Sequence, residues 1–299
     1  MAISFNALQI ITKALQEAHV HGAGVTLPDN VSSEALDILN MMMKSWQLEG
    51  IPVWKIESAV SFVAVGQTKY SLGSTSTDRA TLSHVKTELA VAAILGAVTI
   101  TVDSATGISN GDVIGIVQND NTIHWTTVNG VPAGAVITLT VGLTVAAAID
   151  REVFAYTTLL TRPLRVKSMT LDEDGTESEI RLIPGDEYRL VPNKTYSAAP
   201  FEAWYDPQLT LGELHLWPSP DTVSDRIRFA AAIEWTEFAS LTSSADFPQE
   251  AYWALIWNLA AELAPKHKIN LERQALLTAM AEKKKAVLQT ALDTGGWNP

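Results

Sequence analysis

No cysteine occurs among the 299 residues. Disulfides and thiolate-ligated metals are therefore excluded, and the chain suits a reducing cytoplasm. Apolar runs of about 18 residues, long enough to cross a bilayer, are also missing. The start, MAISFNALQIITKALQEAH, has neither a basic leader region nor a continuous apolar stretch, so no signal peptide is expected. Basic residues are scarce: 21 Lys and Arg stand against 33 Asp and Glu, a net charge of −12. Gripping nucleic acid by phosphate neutralisation needs clustered cations, which that balance disfavours. The acidic surface keeps the chain soluble, and it would also let DNA slide past without sticking. Catalytic signatures are lacking too: there is no GxxxxGK(S/T) loop, no GxGxxG after a strand, no GxSxG elbow and no HExxH.

What is present is ample core material, with a hydrophobic share of 47% and nine Trp. The spacing of Phe5, Leu8, Ile11, Leu15 and Ala18 predicts a helix over Ser4–Ala18, with Ser4 as N-cap. A second helix is expected from a cap at Ser32 or Ser33 to Leu48, with Leu36, Leu39, Met43 and Trp46 as its apolar stripe. The two should pack as a hairpin. Period-two patterning then predicts strands at Ala59–Val65 and Thr68–Leu72, around Gly66-Gln67.

Residues 83–158 change character. Val, Ile, Thr, Gly and Ala dominate, and β-runs at Val98–Val102, Asp112–Val117, His124–Val128 and Val136–Val141 are separated by turn signals such as Ser109-Asn110-Gly111 and Asn129-Gly130. This reads as an inserted all-β domain, barrel or sandwich, with its ends close together. The main body, 1–82 and 159–299, resumes with strands at Leu164–Leu171, Glu179–Leu182, Phe201–Tyr205, Glu213–Trp217 and Asp225–Ile233. Phe247-Pro248 opens a helix through Ala264, and Leu271–Leu292 forms another. The fold class is thus α+β, with helices at both ends of the chain and a central β-region between them.

Chemistry-bearing residues are few. His19 and His21 flank a glycine-rich turn without further ligands to complete a metal site. The acidic run at Asp172-Glu173-Asp174-Gly175 misses the EF-hand spacing and reads as a solvated hairpin turn. No metal, cofactor or catalytic residue is expected. Met41, Met42 and Met43 cannot all face one core, so at least one is exposed or at a subunit contact. Trp253 and Trp257 lie one turn apart on a helix that is apolar nearly all round; it is either central to the core or sandwiched between core and partner. The end, Gly295-Gly296-Trp297-Asn298-Pro299, is either a solvated tail or an aromatic anchor for a partner's pocket.

In their order, the stretches ALDILNMMMKSWQLEGIPVW, GQTKYSLG, TRPLRV, LHLWPSPD and FPQEAYWALIWNLAAELAPKHKI resemble the head-to-tail adaptor proteins of short-tailed bacteriophages, of the P22 tail accessory and T7 tubular-A type. The resemblance covers most of the chain outside 83–158. Within that insertion, ITVDSATGISNGDVIGIVQNDNTIHWTTV resembles a β-module that decorates some phage tail proteins. The resemblance implies a structural protein of the virion's head–tail junction, made in the host cytoplasm, and not an enzyme. It implies that helices from both ends of the chain form one bundle around a β-region, and a homo-oligomeric ring, commonly twelve-fold, bound to the portal protein above and the tail nozzle protein below. DNA would pass through its channel without sequence-specific binding, and no membrane or cofactor is involved. Gly295–Pro299 would then contact the portal, and Met41, Met42 and Trp257 are candidates for the subunit interface. Two other functions remain open on the sequence: a cell-wall glycan hydrolase, for which no carboxylate pair stands out, and a receptor- or carbohydrate-binding role for 83–158.

Overall fold

The computed structural model describes residues 5–22, 24–49, 54–235, 237–244 and 251–293. The fold is mixed α+β with several sheets. It divides into two compact units, Met1–Lys55 with Glu234–Pro299, and Ile56–Ile233.

The first unit is helical. Helix α1 spans Ala7–Glu17 and is capped by Asn6, not Ser4, which lies outside the described residues. The reason is a capping box: the Asn6 side chain accepts from the Gln9 N–H at 2.9 Å, and the Gln9 side chain accepts from the Asn6 N–H at 3.0 Å. Helix α2, Asp29–Leu48, begins before the expected serine cap. The Pro28 carbonyl receives the N–H groups of Val31 and Ser32. The Ser32 and Ser33 hydroxyls bond back to the Asp29 carbonyl from inside the helix. Asp29 in the first turn complements the positive end of the helix dipole. Helix α4 (Tyr252–Leu263) follows the short helix α3 (Gly185–Leu190) of the other unit, and helix α5 covers Leu271–Asp293. The proposed opening at Phe247-Pro248 lies outside the described residues.

Helix α4 packs on α1, α2 and α5. Ile10, Ile11, Leu15, Leu39, Trp46, Leu255 and Leu259 are buried in one shared core. Polar bonds fix neighbouring elements: Asn258 of α4 donates to the Ala281 carbonyl of α5 at 3.1 Å. Asn40 both accepts from the Phe238 N–H and donates to the Phe238 carbonyl, each at 3.1 Å.

The second unit is built from sheets. One has five strands in the order β11 (Thr176–Glu179), β10 (Arg165–Glu173), β15 (Arg226–Glu234), β1 (Trp54–Phe62) and β3 (Ala80–Thr81). Another runs β12 (Arg181–Leu182), β13 (Glu202–Asp206), β14 (Gly212–Trp217), β2 (Lys69–Leu72). Expectation and structure part here in three places. Strands β1 and β2 are neighbours in sequence but belong to different sheets. The hairpin turn expected at Asp172–Gly175 shrinks to Asp174-Gly175, both with positive φ (50° and 88°), the two-residue hairpin that Asp-Gly favours. The strand expected at Glu179–Leu182 is split at buried Ile180: β11 joins β10, whereas β12 pairs in parallel with β13.

Between β3 and β10 lie a four-stranded sheet, β4 (Val85–Glu88), β9 (Glu152–Tyr156), β6 (Val113–Val117), β7 (Ile123–Thr127), and the pair β5 (Thr99–Thr101) with β8 (Val136–Thr138). Strands β4 and β9 were not foreseen; they lie side by side, with Val85 opposite Ala155. Leu89, Ile100, Ile114, Ile116, Ile137 and Leu139 fill a core within these strands. Gly115 of β6 pairs with Trp125 of β7, and a Cβ there would sit 2.5 Å from the indole. Gly115→Ala is therefore expected to displace the ring and cost about 1–3 kcal/mol, read by thermal unfolding and the Trp125 indole signal. An unchanged midpoint would show that the indole yields freely.

Candidate interaction surfaces

The residues singled out from the sequence fall into different environments. Met42 is 6% exposed and packs inside the helical core, so its side chain is not offered to a partner. Met41, one step earlier on α2, is 63% exposed. It borders a shallow cleft of about 390 Å³ with Asn40, Lys44, Ser45 and Glu237. Lys44 bridges Glu234 and Glu237 there; burial acts to lower its pKa, but the hydrogen bonds it donates to both carboxylates outweigh that and raise it. On α4, Trp257 is half-buried against the core, whereas Trp253, one turn earlier, is 53% exposed. Met41 and Trp257 thus sit on two different helices of one unit. Gly295, Gly296, Trp297, Asn298 and Pro299 lie outside the described residues.

A larger cleft, about 710 Å³, lies where α1 ends and α5 begins, lined by His19, His267, Asn270 and Arg273 among others. The Arg273 guanidinium donates to the Glu17 carbonyl, and its buried Nε has no partner. His21 is not in this cleft's lining; its Nε2 lies 2.6 Å from the Val25 carbonyl. Among the described residues, no three His, Cys, Asp or Glu side chains gather as a metal cluster. No helix among them is long and apolar enough to cross a membrane.

The second unit holds a buried ionic cluster that the sequence did not reveal. Asp172, read as part of a solvated turn, is only 1% exposed. Its carboxylate accepts from Gly175 N at 2.8 Å, Arg228 Nε at 2.9 Å and Arg226 Nε at 3.3 Å. Arg226 also reaches Glu152 at 3.4 Å, which Lys86 pairs at 2.6 Å. Burial opposes ionisation of Asp172, yet these donors hold its pKa below the usual range. His84 is pushed down by burial and by the nearby Arg226 and Arg228. Asp225 goes the other way, up to about 6, through burial and the charges of Glu173 and Asp221.

An apolar face completes the surface inventory. Residues 89–102 and 131–149 contain no charged side chain. They meet through the Ala93–Ala147 bridge and bonds between Gly96, Ala97 and Leu143. Val91, Ile94, Leu95, Val98, Val141 and Ile149 are all exposed along them. Apolar patches of this kind mark contact sites more often than isolated exposed residues do.

No protein-family model matches the chain, and no curated protein matches it. Among solved structures, it is similar to the tailspike gp61 of Pseudomonas phage phi297, at 20% identity and a TM-score of 0.21, over 24% of this chain and 14% of that one. It is also similar to the Gp54 tailspike of Acinetobacter baumannii bacteriophage AP22, solved in complex with A. baumannii capsular saccharide, at 17% identity and a TM-score of 0.23, over 27% of this chain and 16% of that one. The chain matches well under a fifth of either tailspike's length. At these TM-scores the likeness carries no functional argument.

Proposed function

We propose that this chain is a structural adaptor of a phage head–tail junction and not an enzyme. In this reading its copies close into a ring, twelve-fold as the resemblance implies, between the portal protein and the tail nozzle protein. The terminal helices form the bundle of the adaptor body, and 83–158 is a small β barrel or sandwich inserted in it. The ring sits in the virion, extends the DNA channel and helps retain the packaged genome.

The observation that carries the reading is that both ends of the chain build one helical unit. That is the arrangement expected from the ordered stretches shared with the adaptor family. Two further features support it. Met41 and Trp253 leave large apolar surface on that unit, and the net charge of −12 suits a wall past which DNA moves.

The test is light scattering after size exclusion, on the protein alone and mixed with the portal ring from the same genome. Co-elution with a mass gain of many copies per ring supports the adaptor. Absence of association at every salt concentration overturns it, whereas a monomer in isolation does not, since the portal can template the ring. Met41→Ala and Trp253→Ala are expected to weaken assembly by about 30-fold, a hot-spot loss of about 2 kcal/mol. Stability should move by less than about 0.5 kcal/mol, because neither side chain is buried in its own chain. Removing Gly295–Pro299 is expected to abolish portal binding without affecting the fold.

A further inference from the structure

In the second unit, Arg79 stands apart from the other cations of the ionic cluster. It precedes β3, and its carbonyl accepts from the Phe62 N–H at 2.9 Å, which fixes the backbone. Its side chain lines a cavity of about 280 Å³ together with Phe62, Asp78, Ile123, Trp125 and Val223. The guanidinium lies over the Trp125 ring, 5.8 Å from the centroid. Asp78 beside it is already engaged: one oxygen accepts from Gln67 at 2.8 Å and the other from Ser71 N at 2.7 Å. Among the described residues Arg79 forms no ion pair, and its Nε is buried without an acceptor. The Tyr156 hydroxyl lies close to Arg79, whose charge and hydrogen bonding oppose the rise that burial gives its pKa.

A buried donor left unmade is costly, and in native proteins such groups usually find a partner. Here the unmade donor belongs to Arg79, a residue that lines a cavity. We propose that Arg79 and Trp125 form a binding site for the carboxylate of a small molecule whose body packs against Phe62, Ile123 and Val223. The planar guanidinium fork matches a carboxylate in two parallel bonds. The aromatic and aliphatic walls call for an apolar or ring-shaped body, and the volume limits it to fragment size. A doubly charged phosphate fits less well, because the Asp78 carboxylate stands next to Arg79. This site does not depend on the adaptor reading.

The test uses the full chain labelled with ¹⁵N and follows the Arg79 Nε–H and Trp125 indole N–H resonances, assigned with Arg79→Gln and Trp125→Phe. Cyclohexanecarboxylate is titrated against its amide, glucuronate against glucuronamide, and inorganic phosphate alone. Saturable shifts of both resonances, with an acid binding at least about tenfold tighter than its amide, and their loss in Arg79→Gln, establish the site. A preference for glucuronate assigns the carboxylate to an acidic sugar; a preference for cyclohexanecarboxylate assigns it to an apolar acid. Should Arg79→Gln fail to fold, Val65→Trp serves, since Val65 is an exposed lining residue and the indole would block the mouth while leaving Arg79 intact. Equal responses to acid and amide, tighter binding of phosphate than of either acid, or no saturable shift overturn the proposal.

Discussion

Asp172→Ala is expected to destabilise the second unit by about 3–5 kcal/mol, the loss that follows when one partner of a buried ion pair is removed. The substitution strips one acceptor from three donors at once: Gly175 N, Arg226 Nε and Arg228 Nε. Arg228 can turn to Glu177, 3.5 Å away, and reach solvent. Arg226 cannot, because its side chain is buried; it keeps the 3.4 Å contact to Glu152 and its place over the Phe154 ring. The expected fall in unfolding midpoint is on the order of 10 °C, measured by calorimetry. Removing the stranded cation as well, in Asp172→Ala with Arg226→Met, should restore part of the loss, since the penalty lies in the unpaired charge and not in the missing bond. A loss below about 1 kcal/mol would mean that both arginines relax into water. Because the folded-state pKa of Asp172 is depressed, its contribution is complete above the ordinary carboxylate range. It disappears as the pH falls below about 4, through the folded value.

That cluster was invisible in the sequence for a definite reason. Asp172 sits in an acidic run ending in Asp174-Gly175, and the hairpin signal there is correct. What the run conceals is register: Asp172 faces Arg226, and Thr170 faces Arg228, across strands far apart in the chain. Elements with strong period were legible. The α1 stripe, the strands β13 to β15 and helix α5 emerge close to their observed limits, because their apolar spacing repeats over several turns or pleats. Strand β4, VKTE, buries only Thr87 and alternates nothing apolar. Helix α3 has six residues and one buried ring, Tyr188, too few to establish a period. The three consecutive methionines illustrate another limit. Each step round a helix turns the side chain by 100°, so their order alone does not rank them. The outcome depends on α2 packing against both α1 and α4, which widens the buried arc to include Met42 with Met43 and leaves Met41 outside. The same holds for Arg79: that Asp78 beside it is occupied by Gln67 and Ser71 is a fact of tertiary structure.

Asp225→Asn should have the opposite sign from Asp172→Ala, although the two acids share Arg226 as a neighbour. Asp225 is 7% exposed, and no Lys or Arg among the described residues lies within ion-pair distance of its carboxylate. Burial first, then the like charges of Glu173 and Asp221, raise its pKa to about 6; Arg226 opposes this and Glu152 adds to it. A folded pKa above the unfolded one means that the native state holds the proton longer. The stability this acid permits is therefore complete below about pH 4 and is lost as the pH rises toward 6. Above that, a buried charge persists without an ion-pair partner among the described residues, and Arg226 offsets it only in part. Asparagine keeps the shape and removes the charge, so the variant should gain about 2 kcal/mol at pH 7 and nothing at pH 4. Urea unfolding at the two pH values measures the difference. Destabilisation at pH 7 would show instead that the carboxylate is bound by a donor. The contrast arises from supply: Arg226 and Arg228 are already committed to Asp172, Glu152 and Glu177. A further carboxylate in that cluster adds repulsion where the first gains bonds.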